Sequence, residues 1–321
     1  MSVYTQLSQP DFDSILSNYD LGKLIAFEGI AAGIENTNYK LTLEKAGITQ
    51  FYFLTIFEEI SQSDLDFFMP LLAHLKEQNN LLAAPIKNIH GQLLFTAKEK
   101  NGALLHCLEG GHLNKITPEH CYIIGQELAQ IHLNAKDFGQ SHDNNRGFYW
   151  LQKQIQNTAQ NREKDDSDLM LSELTHLQTC WVNWQNLALP KGFIHADLFP
   201  DNSLFKGDNK TQLSGIIDFY AGGQDYWVYD LAITIMAWCQ TDSAIDTKLK
   251  ASMLAGYQNV RPLETAEQDT LPDFLRLAVL RFWMSRLISQ ATQENATLTT
   301  FKDPNEMKAL LLSLGLFTHP F

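Results

Sequence analysis

Short apolar runs, rich in aromatic and β-branched side chains and separated by turn residues, follow one another along the first hundred residues. Three of them, at residues 24–30, 37–43 and 51–57, have the length and composition of β-strands. Two more flank Asn101-Gly102, a dipeptide that favours a tight hairpin turn. The pattern therefore predicts a small antiparallel sheet in this part of the chain.

One helix interrupts the predicted strands. Apolar residues recur on one helical face behind Ser63, a residue type that caps helices: Leu65, Phe68, Met69, Leu72 and Leu75. Pro70 lies inside this pattern, so we expect a kink there or a first turn that begins near it.

The hydrophobic period changes after Glu109-Gly110-Gly111. Thr117 and Pro118 are a cap and a first helical residue, and apolar positions repeat at helical spacing after them. Residues 152–168 form either a solvated helix or a loop, and most of the chain from Tyr229 onward has helical spacing. The predicted fold is α+β with two lobes: a small antiparallel β-rich N-terminal lobe (residues 1–108) and a larger, mainly helical C-terminal lobe (109–321).

A β-like island lies inside the helical half and contains the segment GFIHADLFPDN. Two strands follow it, SLFK and LSGIIDF, joined by the turn GDNKT. Asn202 precedes the first strand and Asp218 lies at the end of the second, so an antiparallel hairpin returns both side chains to one end. Asp197 lies in the loop just before, and three oxygen-bearing side chains are therefore expected to converge.

These residue types suit phosphoryl transfer. Asn202 and Asp218 can offer oxygen ligands to Mg²⁺, and Asp197 can accept a proton from a substrate hydroxyl and orient it for attack on a γ-phosphate. His195 is expected to support the loop. A single H-x-D is more often a turn with a capping aspartate, and Asp201 is a rival to Asp197 as the base, although the preceding Pro200 favours a turn role.

Composition and net charge limit the classes of binding partner that are expected. The chain has 321 residues, 24 basic against 37 acidic side chains and a net charge of -13, without a basic run, so nucleic acid and anionic membranes are not expected partners. An anionic substrate would need a locally positive pocket, which a metal ion could help to create. Four scattered cysteines predict free thiols in a reducing compartment. Neither a signal peptide nor a membrane span is expected, which favours the cytoplasm. The sequence leaves the oligomeric state open.

The catalytic segment resembles the aminoglycoside phosphotransferase and choline kinase family, whose fold is similar to that of protein kinases. Two further segments, FEGIAAGIENTNY and IDFYAGGQDYWVYDLAI, are similar to the homoserine kinases of this family, and the similarity covers essentially the whole chain. The resemblance implies that ATP and Mg²⁺ are used to phosphorylate L-homoserine on the route to threonine. It also implies that Asp197 is the base and that Asn202 and Asp218 hold the metal.

The resemblance further implies where ATP binds. The turn from Gly29 through Gly33 to Asn36 would cover the phosphates, because glycines let the backbone approach closely. The segment that ends at Leu108 would be the hinge that meets adenine. Thr55 stands where the wider family presents a Lys or Arg to the phosphates, and the homoserine kinases that this chain resembles also have a threonine there. Lys40, on the neighbouring strand, could replace that charge only if it faces the cleft.

The acceptor has an ammonium and a carboxylate group. An arginine can bind a carboxylate with two parallel hydrogen bonds, and the candidates are Arg146, Arg281 and Arg286. A structural ion pair is the alternative for Arg281, which lies in an apolar helix. Asp225 or Asp230 could bind the ammonium, but Asp230 more often caps a helix or supports the catalytic loop in such a position.

Two alternatives to homoserine phosphorylation stay open from the sequence. Another kinase of the same family would act on choline, an aminoglycoside or a different amino alcohol. A non-catalytic nucleotide-binding scaffold is suggested by Thr55, although a scaffold has no need for Asp197, Asn202 and Asp218 together.

Overall fold

A computed structural model describes residues 4–30, 36–293 and 302–315. Contacts between Cα atoms divide these residues into two compact units. Unit 1 is drawn from Met1–Gly111, Asp137–Gln140 and Leu204–Tyr220, and unit 2 from His112–Lys136, Ser141–Ser203 and Ala221–Phe321. The hairpin segment at 204–220 thus belongs with the first unit, although its place in the sequence is far inside the helical half.

Unit 1 contains a five-stranded sheet in the order β1-β2-β3-β5-β4, with every neighbouring pair antiparallel. The strands are β1 (Lys23–Ile30), β2 (Asn36–Lys45), β3 (Ile48–Phe57), β4 (Phe95–Ala97) and β5 (Lys100–His106). The three long strands predicted from the aromatic and β-branched runs are confirmed.

One face of this sheet forms the core of unit 1. Alternate residues of β2 and β3 are buried there, among them Leu41 and Leu54. Helix α1 (Gln9–Leu16) covers them with Phe12, whose ring lies 5.1 Å from that of Tyr39. The sequence analysis did not predict α1, although Ser8 and Asp11 form a capping box at its start.

The predicted helix between β3 and β4 is present as α2 (Gln62–Glu77), with two differences. Ser61, not Ser63, is the N-cap, since its hydroxyl accepts a hydrogen bond from the Asp64 amide at 3.1 Å. Pro70 lies inside a helix that continues to Glu77, and burial of seven side chains along it stabilises the helix despite the missing donor.

The hairpin turn expected at Asn101-Gly102 lies instead at Lys98 and Glu99, which both have positive φ angles (50° and 62°). Gly102 is a strand residue of β5. A Cβ atom there would lie 2.4 Å from the Phe95 ring and 2.8 Å from the Thr55 carbonyl oxygen. The glycine is therefore required by close packing across three strands and not by a turn.

Unit 2 is mainly helical. Its elements, in chain order, are α3 (Pro118–Asn134), α4 (Phe148–Thr158), α5 (Lys164–Trp184), β6 (Lys191–Ile194), β9 (Gly223–Tyr226), α6 (Trp227–Trp238), β10 (Gln240–Thr241), β11 (Ala244–Ile245), α7 (Thr247–Val260), α8 (Thr265–Gln293) and α9 (Pro304–Ser313). Short 3₁₀ turns occur at Ala135–Phe138, Ala159–Asn161 and Pro200–Asn202. The region around 152–168 is helical apart from the break between α4 and α5.

Two small two-stranded ribbons adjoin the segment GFIHADLFPDN along the chain. β6 pairs with β9, with Gly192 opposite Asp225 and Ile194 opposite Gly223. β7 (Ser203–Lys206) pairs with β8 (Gln212–Ile216). The β7–β8 hairpin was predicted, whereas β9 was not, because Gly223–Tyr226 is short and carries no alternation of apolar and polar residues.

Helices α3 and α7 cross at two glycines. A Cβ atom on Gly125 would lie 2.2 Å from the Met253 carbonyl oxygen, and one on Gly256 would lie 2.0 Å from that of Tyr122. Only hydrogen at both positions lets the two backbones approach this closely. The crossing matters for the site below, because α3 carries His132 and α7 carries Tyr257.

Among the helices that the structure describes, none is both long enough and apolar enough to cross a membrane.

We expect Gly256→Ala to destabilise the protein by about 1–3 kcal/mol, because the new methyl group overpacks the crossing. This loss should exceed the gain of up to ~1 kcal/mol that alanine brings to a helix. Chemical denaturation with urea would measure it.

The matched control is Ala255→Ser, which also adds one heavy atom but on the exposed side of the same helix. Equal stability of Gly256→Ala and the wild type would contradict the close crossing.

Candidate functional site

The loop after β6 contains the predicted catalytic residues. It starts at His195, which is fully buried, and turns at Ala196, whose φ angle is 62°. A positive φ is unfavourable for alanine, so neighbouring groups must hold this conformation. The loop ends in the 3₁₀ turn Pro200–Asn202, directly before β7.

Asp197 and Asn202 lie side by side in this loop. The Asn202 amide nitrogen donates to the Asp197 backbone oxygen at 2.8 Å and to its carboxylate Oδ2 at 3.1 Å. His195 supports the same turn, because its Nδ1 accepts a hydrogen bond from the Asp197 amide at 3.3 Å. Both donor hydrogens of Asn202 are thus directed at Asp197, which leaves the amide oxygen as the atom that can ligate a cation.

A buried carboxylate holds the start of the loop. Asp230, in the first turn of α6, accepts the backbone N–H of His195 at 2.7 Å and that of Ala196 at 2.8 Å. The expectation that Asp230 supports the catalytic loop is therefore confirmed. Two successive N–H groups that point at one anion form the kind of concave anion site that a left-handed residue creates.

Asp230 is the last group in a chain of hydrogen bonds between buried side chains, which we call the relay. His132 Nε2 lies 3.0 Å from Asp230 Oδ2, and His132 Nδ1 lies 2.7 Å from the Tyr257 hydroxyl. Arg261 donates to the same hydroxyl oxygen from Nε at 3.1 Å and from Nη2 at 3.0 Å. The Arg261 guanidinium also forms a bidentate ion pair with Glu267.

This relay determines the protonation state of His132. Because both lone pairs of the Tyr257 oxygen accept hydrogen bonds from Arg261, its hydrogen must point to His132 Nδ1. His132 therefore carries its proton on Nε2, which donates to Asp230, and the ring is neutral. Burial lowers the pKa of His132, which agrees with this assignment.

Two further side chains donate hydrogen bonds to backbone carbonyl oxygens of the loop. Arg281 Nη1 donates to the Ala196 oxygen at 2.6 Å, and the Trp238 indole donates to the Leu198 oxygen at 3.0 Å. Arg281 is only 1% exposed. Its described contacts are therefore those of a residue that supports the loop.

The electrostatics of Asp197 suit a proton acceptor. Burial raises the pKa of this carboxyl group, while the positive charges of Arg281 and, to a smaller extent, Lys302 oppose the rise. Asp201, the rival candidate, is exposed and forms an ion pair with Lys302 at 3.1 Å.

A second acidic group lies on the neighbouring strand of the β6–β9 ribbon. Asp225 accepts a hydrogen bond from the Asn144 side chain at 2.8 Å, and burial raises the pKa of its carboxyl group. Gly147 packs so closely that a Cβ atom there would lie 3.2 Å from Asp225 Oδ2. Arg146, the residue before this glycine, is exposed.

Arg286 is engaged in a structural contact. Its Nη1 donates to the Asp303 backbone oxygen at 2.7 Å and to the Glu306 carboxylate at 2.8 Å. These bonds connect α8 to the first turn of α9.

The predicted nucleotide-binding residues of unit 1 lie on two strands and at their ends. Thr55 is opposite Asn38 in the β2–β3 register, and its hydroxyl donates to the Asn38 side-chain oxygen at 2.7 Å. Lys40 is two residues further along β2 and shares this face, with its ammonium 4.9 Å from the centre of the Phe51 ring. Lys40 therefore faces the same side of the sheet as Thr55.

The other residues predicted to bind the nucleotide lie at separate positions along the chain. Gly29 pairs with Tyr39 near the end of β1. Asn36 begins β2, and its side-chain oxygen accepts a hydrogen bond from the Glu58 amide at 3.4 Å. Leu108 lies against β8, where a Cβ atom on Gly215 would come within 2.4 Å of it. Gly33 lies outside the described residues.

Asp218 follows β8 by two residues and has a φ angle of 64°. Its negative charge contributes to the raised pKa of Tyr220, which burial mainly causes. Strained backbone at a non-glycine residue is common at functional positions, and aspartate tolerates it better than most residues.

The sequence analysis missed the relay partners of Asp230, which are His132, Tyr257, Arg261 and Glu267. A signal was present for His132. It follows Leu128 by four residues on the apolar face of α3, where a polar ring must find a buried partner.

Comparisons with known proteins identify relatives of this chain. The profile of the phosphotransferase enzyme family matches residues 26–263. A homoserine kinase from Neisseria meningitidis serogroup B is 39% identical over 316 residues, which are 98% of this chain and 100% of that protein. A homoserine kinase from Afipia carboxidovorans is 37% identical over 311 residues, 95% of this chain and 92% of that protein.

Solved structures share the fold at low identity. An amicoumacin kinase in complex with AMP-PNP, Ca²⁺ and Ami has a TM-score of 0.69 at 17% identity, covering 96% of this chain and 92% of that one. A choline kinase from Streptococcus pneumoniae has a TM-score of 0.63 at 15% identity, with 94% and 96% covered. The predicted α+β, kinase-like fold class is confirmed.

The neutral state of His132 predicts a pH dependence of stability. The folded protein binds no second proton at this ring, whereas the unfolded chain binds one below the ordinary pKa of 6.5. The contribution of this group should therefore be constant well above pH 6.5, and stability should fall as the pH drops below it, with a slope that approaches about 1.4 kcal/mol per pH unit. His132→Gln, which can keep both hydrogen bonds without titrating, should flatten this slope in urea denaturation between pH 7.5 and 5.5.

His90→Gln is the control. It makes the same chemical change at an exposed histidine that is not part of the relay. An unchanged slope in His132→Gln would show that His132 is not the neutral, buried group that the relay requires.

Proposed function

The chain belongs to the phosphotransferase enzyme family, and we propose that it transfers the γ-phosphate of ATP to the hydroxyl group of L-homoserine. The products are ADP and O-phospho-L-homoserine, an intermediate in threonine synthesis. The observation that carries the proposal is the Asp197–Asn202 pair in a fully supported loop, within a chain that is 39% identical to a homoserine kinase over nearly its whole length. The enzyme class predicted from the sequence is confirmed by these relatives.

Asp197 is proposed as the catalytic base. The hydrogen bond from Asn202 and the supported backbone fix its carboxylate, so that a bound hydroxyl can be oriented before it attacks. A carboxyl group whose pKa is raised by burial holds an accepted proton better than an exposed one. His195 acts through the loop and is a positioning residue.

Mg²⁺ is the proposed metal, with Asn202 and Asp218 as its ligands. An amide oxygen and a carboxylate are the hard oxygen donors that Mg²⁺ prefers, together with phosphates and water. The hydrogen bonds of the Asn202 nitrogen to Asp197 favour ligation through the amide oxygen. When bound, the ion would neutralise negative charge on the phosphates of ATP.

The nucleotide is proposed to bind at Gly29, Gly33, Asn36, Thr55 and Leu108. Thr55 can donate or accept a hydrogen bond, but it carries no charge. Lys40 is the proposed source of positive charge, since it shares the sheet face of Thr55.

For the acceptor, Asp225 is proposed to bind the ammonium and Arg146 the carboxylate. Asp225 lies one strand away from the segment that leads into the catalytic loop. Among the three candidate arginines, Arg281 and Arg286 already donate to groups of unit 2, whereas Arg146 is exposed.

A cationic amino alcohol is the second candidate acceptor, because Asp225 would also attract a substrate without a carboxylate. The four free cysteines are compatible with a reducing compartment, and we place the reaction in the cytoplasm as part of the same proposal.

A panel of acceptors tests the proposed substrate. With ATP and Mg²⁺, release of ADP should be fastest with L-homoserine and much slower with choline, ethanolamine or an aminoglycoside, measured by coupled assay. D-homoserine and L-serine are the matched controls for stereochemistry and chain length. Turnover on choline without turnover on L-homoserine would move the enzyme to the second candidate.

Substitution of the two neighbouring aspartates tests the base. Asp197→Asn should lower kcat by roughly 10²- to 10⁴-fold, the range of general acid–base catalysis, while ATP binding persists. Asp201→Asn makes the same change on an exposed, ion-paired carboxylate four residues away and should keep most of the activity. The assignment is wrong if the two variants exchange these outcomes or if Asp197→Asn stays near the wild-type rate.

A further inference from the structure

A cluster of three metal-ligating side chains lies between α5 and α8, and neither the proposed reaction nor its loop uses it. His176 and Cys180 are one turn apart on α5, and Asp273 is on α8. His176 Nε2 is 2.8 Å from Asp273 Oδ1 and 3.4 Å from Cys180 Sγ. The three donor atoms all lie within 4.8 Å of one another.

These distances are close to those of a tetrahedral site. Zinc binds sulfur at about 2.3 Å and nitrogen or carboxylate oxygen at about 2.0–2.2 Å, which separates neighbouring donor atoms by roughly 3.3–3.6 Å. The Nε2–Sγ distance already matches this spacing, and the Nε2–Oδ1 distance would have to lengthen by roughly 0.5 Å for the donor atoms to surround an ion. The donor set of one nitrogen, one sulfur and one oxygen suits an ion of the zinc class and not Mg²⁺ or Ca²⁺.

The charges also balance. A Cys180 thiolate and the Asp273 carboxylate together carry two negative charges, and with a neutral His176 a divalent ion gives a neutral site. The nearby Arg276 forms a bidentate ion pair with Glu173. Without an ion, burial and, to a smaller extent, the negative charge of Asp273 together raise the pKa of the Cys180 thiol to about 12.

We propose that His176, Cys180 and Asp273 bind a divalent transition-metal ion of the zinc class, with water as the fourth ligand. Asp273, whose side chain is 22% exposed, gives the solvent access that a water ligand needs. On binding, the thiol loses its proton to solvent and the imidazole keeps a single proton, on Nδ1, so that Nε2 can ligate. One proton is released for each ion bound.

The consequence would be structural. The ion would connect α5 to α8, the helix whose Arg281 donates to the Ala196 oxygen in the catalytic loop. The alternative is a cluster held by hydrogen bonds alone, in which the thiol and the imidazole N–H both donate to Asp273.

Cobalt titration of the reduced, metal-free, full-length chain separates these possibilities. Co²⁺ bound to a thiolate gives a sulfur-to-metal charge-transfer band in the near ultraviolet, and we expect this band to grow to one equivalent and to disappear on addition of Zn²⁺. Cys180→Ser should abolish it. His176→Gln and Asp273→Asn should weaken binding by more than the roughly 10- to 100-fold that follows the loss of an outer-shell partner.

Cys107→Ser is the matched control, because Cys107 is a half-buried thiol of unit 1, and this variant should keep the band. Zn²⁺ should also raise the Tm of the wild type and of Cys107→Ser but not that of Cys180→Ser. A folded wild-type protein without the band, or a band that persists in Cys180→Ser, would overturn the metal site and leave a hydrogen-bonded cluster. The readouts do not involve phosphoryl transfer, so they are independent of the proposed function.

Discussion

The catalytic loop depends on one interaction, the two hydrogen bonds that the Asp230 carboxylate accepts from the successive N–H groups of His195 and Ala196. Two adjacent amides can point at one acceptor only because Ala196 adopts a positive φ, which costs free energy that the carboxylate must offset. Hydrogen bonds to a charged group contribute about 1.5–3 kcal/mol each, enough to hold one such residue. The buried negative charge of Asp230 therefore maintains the loop conformation that presents Asp197.

A buried charge of this kind needs its own stabilisation, and the relay supplies it. Asp230 keeps its negative charge, with its pKa lowered, because His132 and the loop amides donate to it even though burial opposes ionisation. His132 can donate only as a neutral ring, and Tyr257 keeps it neutral because Arg261 occupies both lone pairs of the hydroxyl oxygen. The close crossing of α3 and α7 at Gly125 and Gly256 brings these two rings together. Helix packing and the geometry of the loop are thus one linked constraint.

The sequence predicted the local parts of this arrangement. Asp197 and Asn202 are five residues apart, and their hydrogen bond follows from a short turn that the spacing already indicates. The strands of unit 1 were also predicted, because their composition is a local property of the sequence. By contrast, 98 residues separate His132 from Asp230 and 125 separate it from Tyr257, so that only packing could reveal the relay.

The hairpin expected at Asn101-Gly102 shows the other limit of prediction. The dipeptide favours a turn locally, but the glycine is needed where Phe95 crosses the strand. Arg281 was expected to pair with an acid or to bind the substrate, and its described hydrogen bond goes to a backbone carbonyl instead. In both cases the residue type was informative, while its partner was set by tertiary contacts without a local pattern.

The side chains on the sheet of unit 1 determine how much of the negative charge of ATP the protein itself would balance in the proposed reaction. Thr55 is engaged with Asn38 through its hydroxyl and cannot compensate the charge of a phosphate. Lys40 shares its face but is exposed, with its ammonium against the Phe51 ring, and an exposed ammonium is screened by solvent. In a chain with a net charge of -13, less of the negative charge of ATP would then be balanced by side chains than in a kinase with a buried lysine at this strand. A metal ion held by Asn202 and Asp218 would carry correspondingly more of that task, which would make the fixed orientation of the Asn202 amide by Asp197 a condition for binding the nucleotide as well as for catalysis.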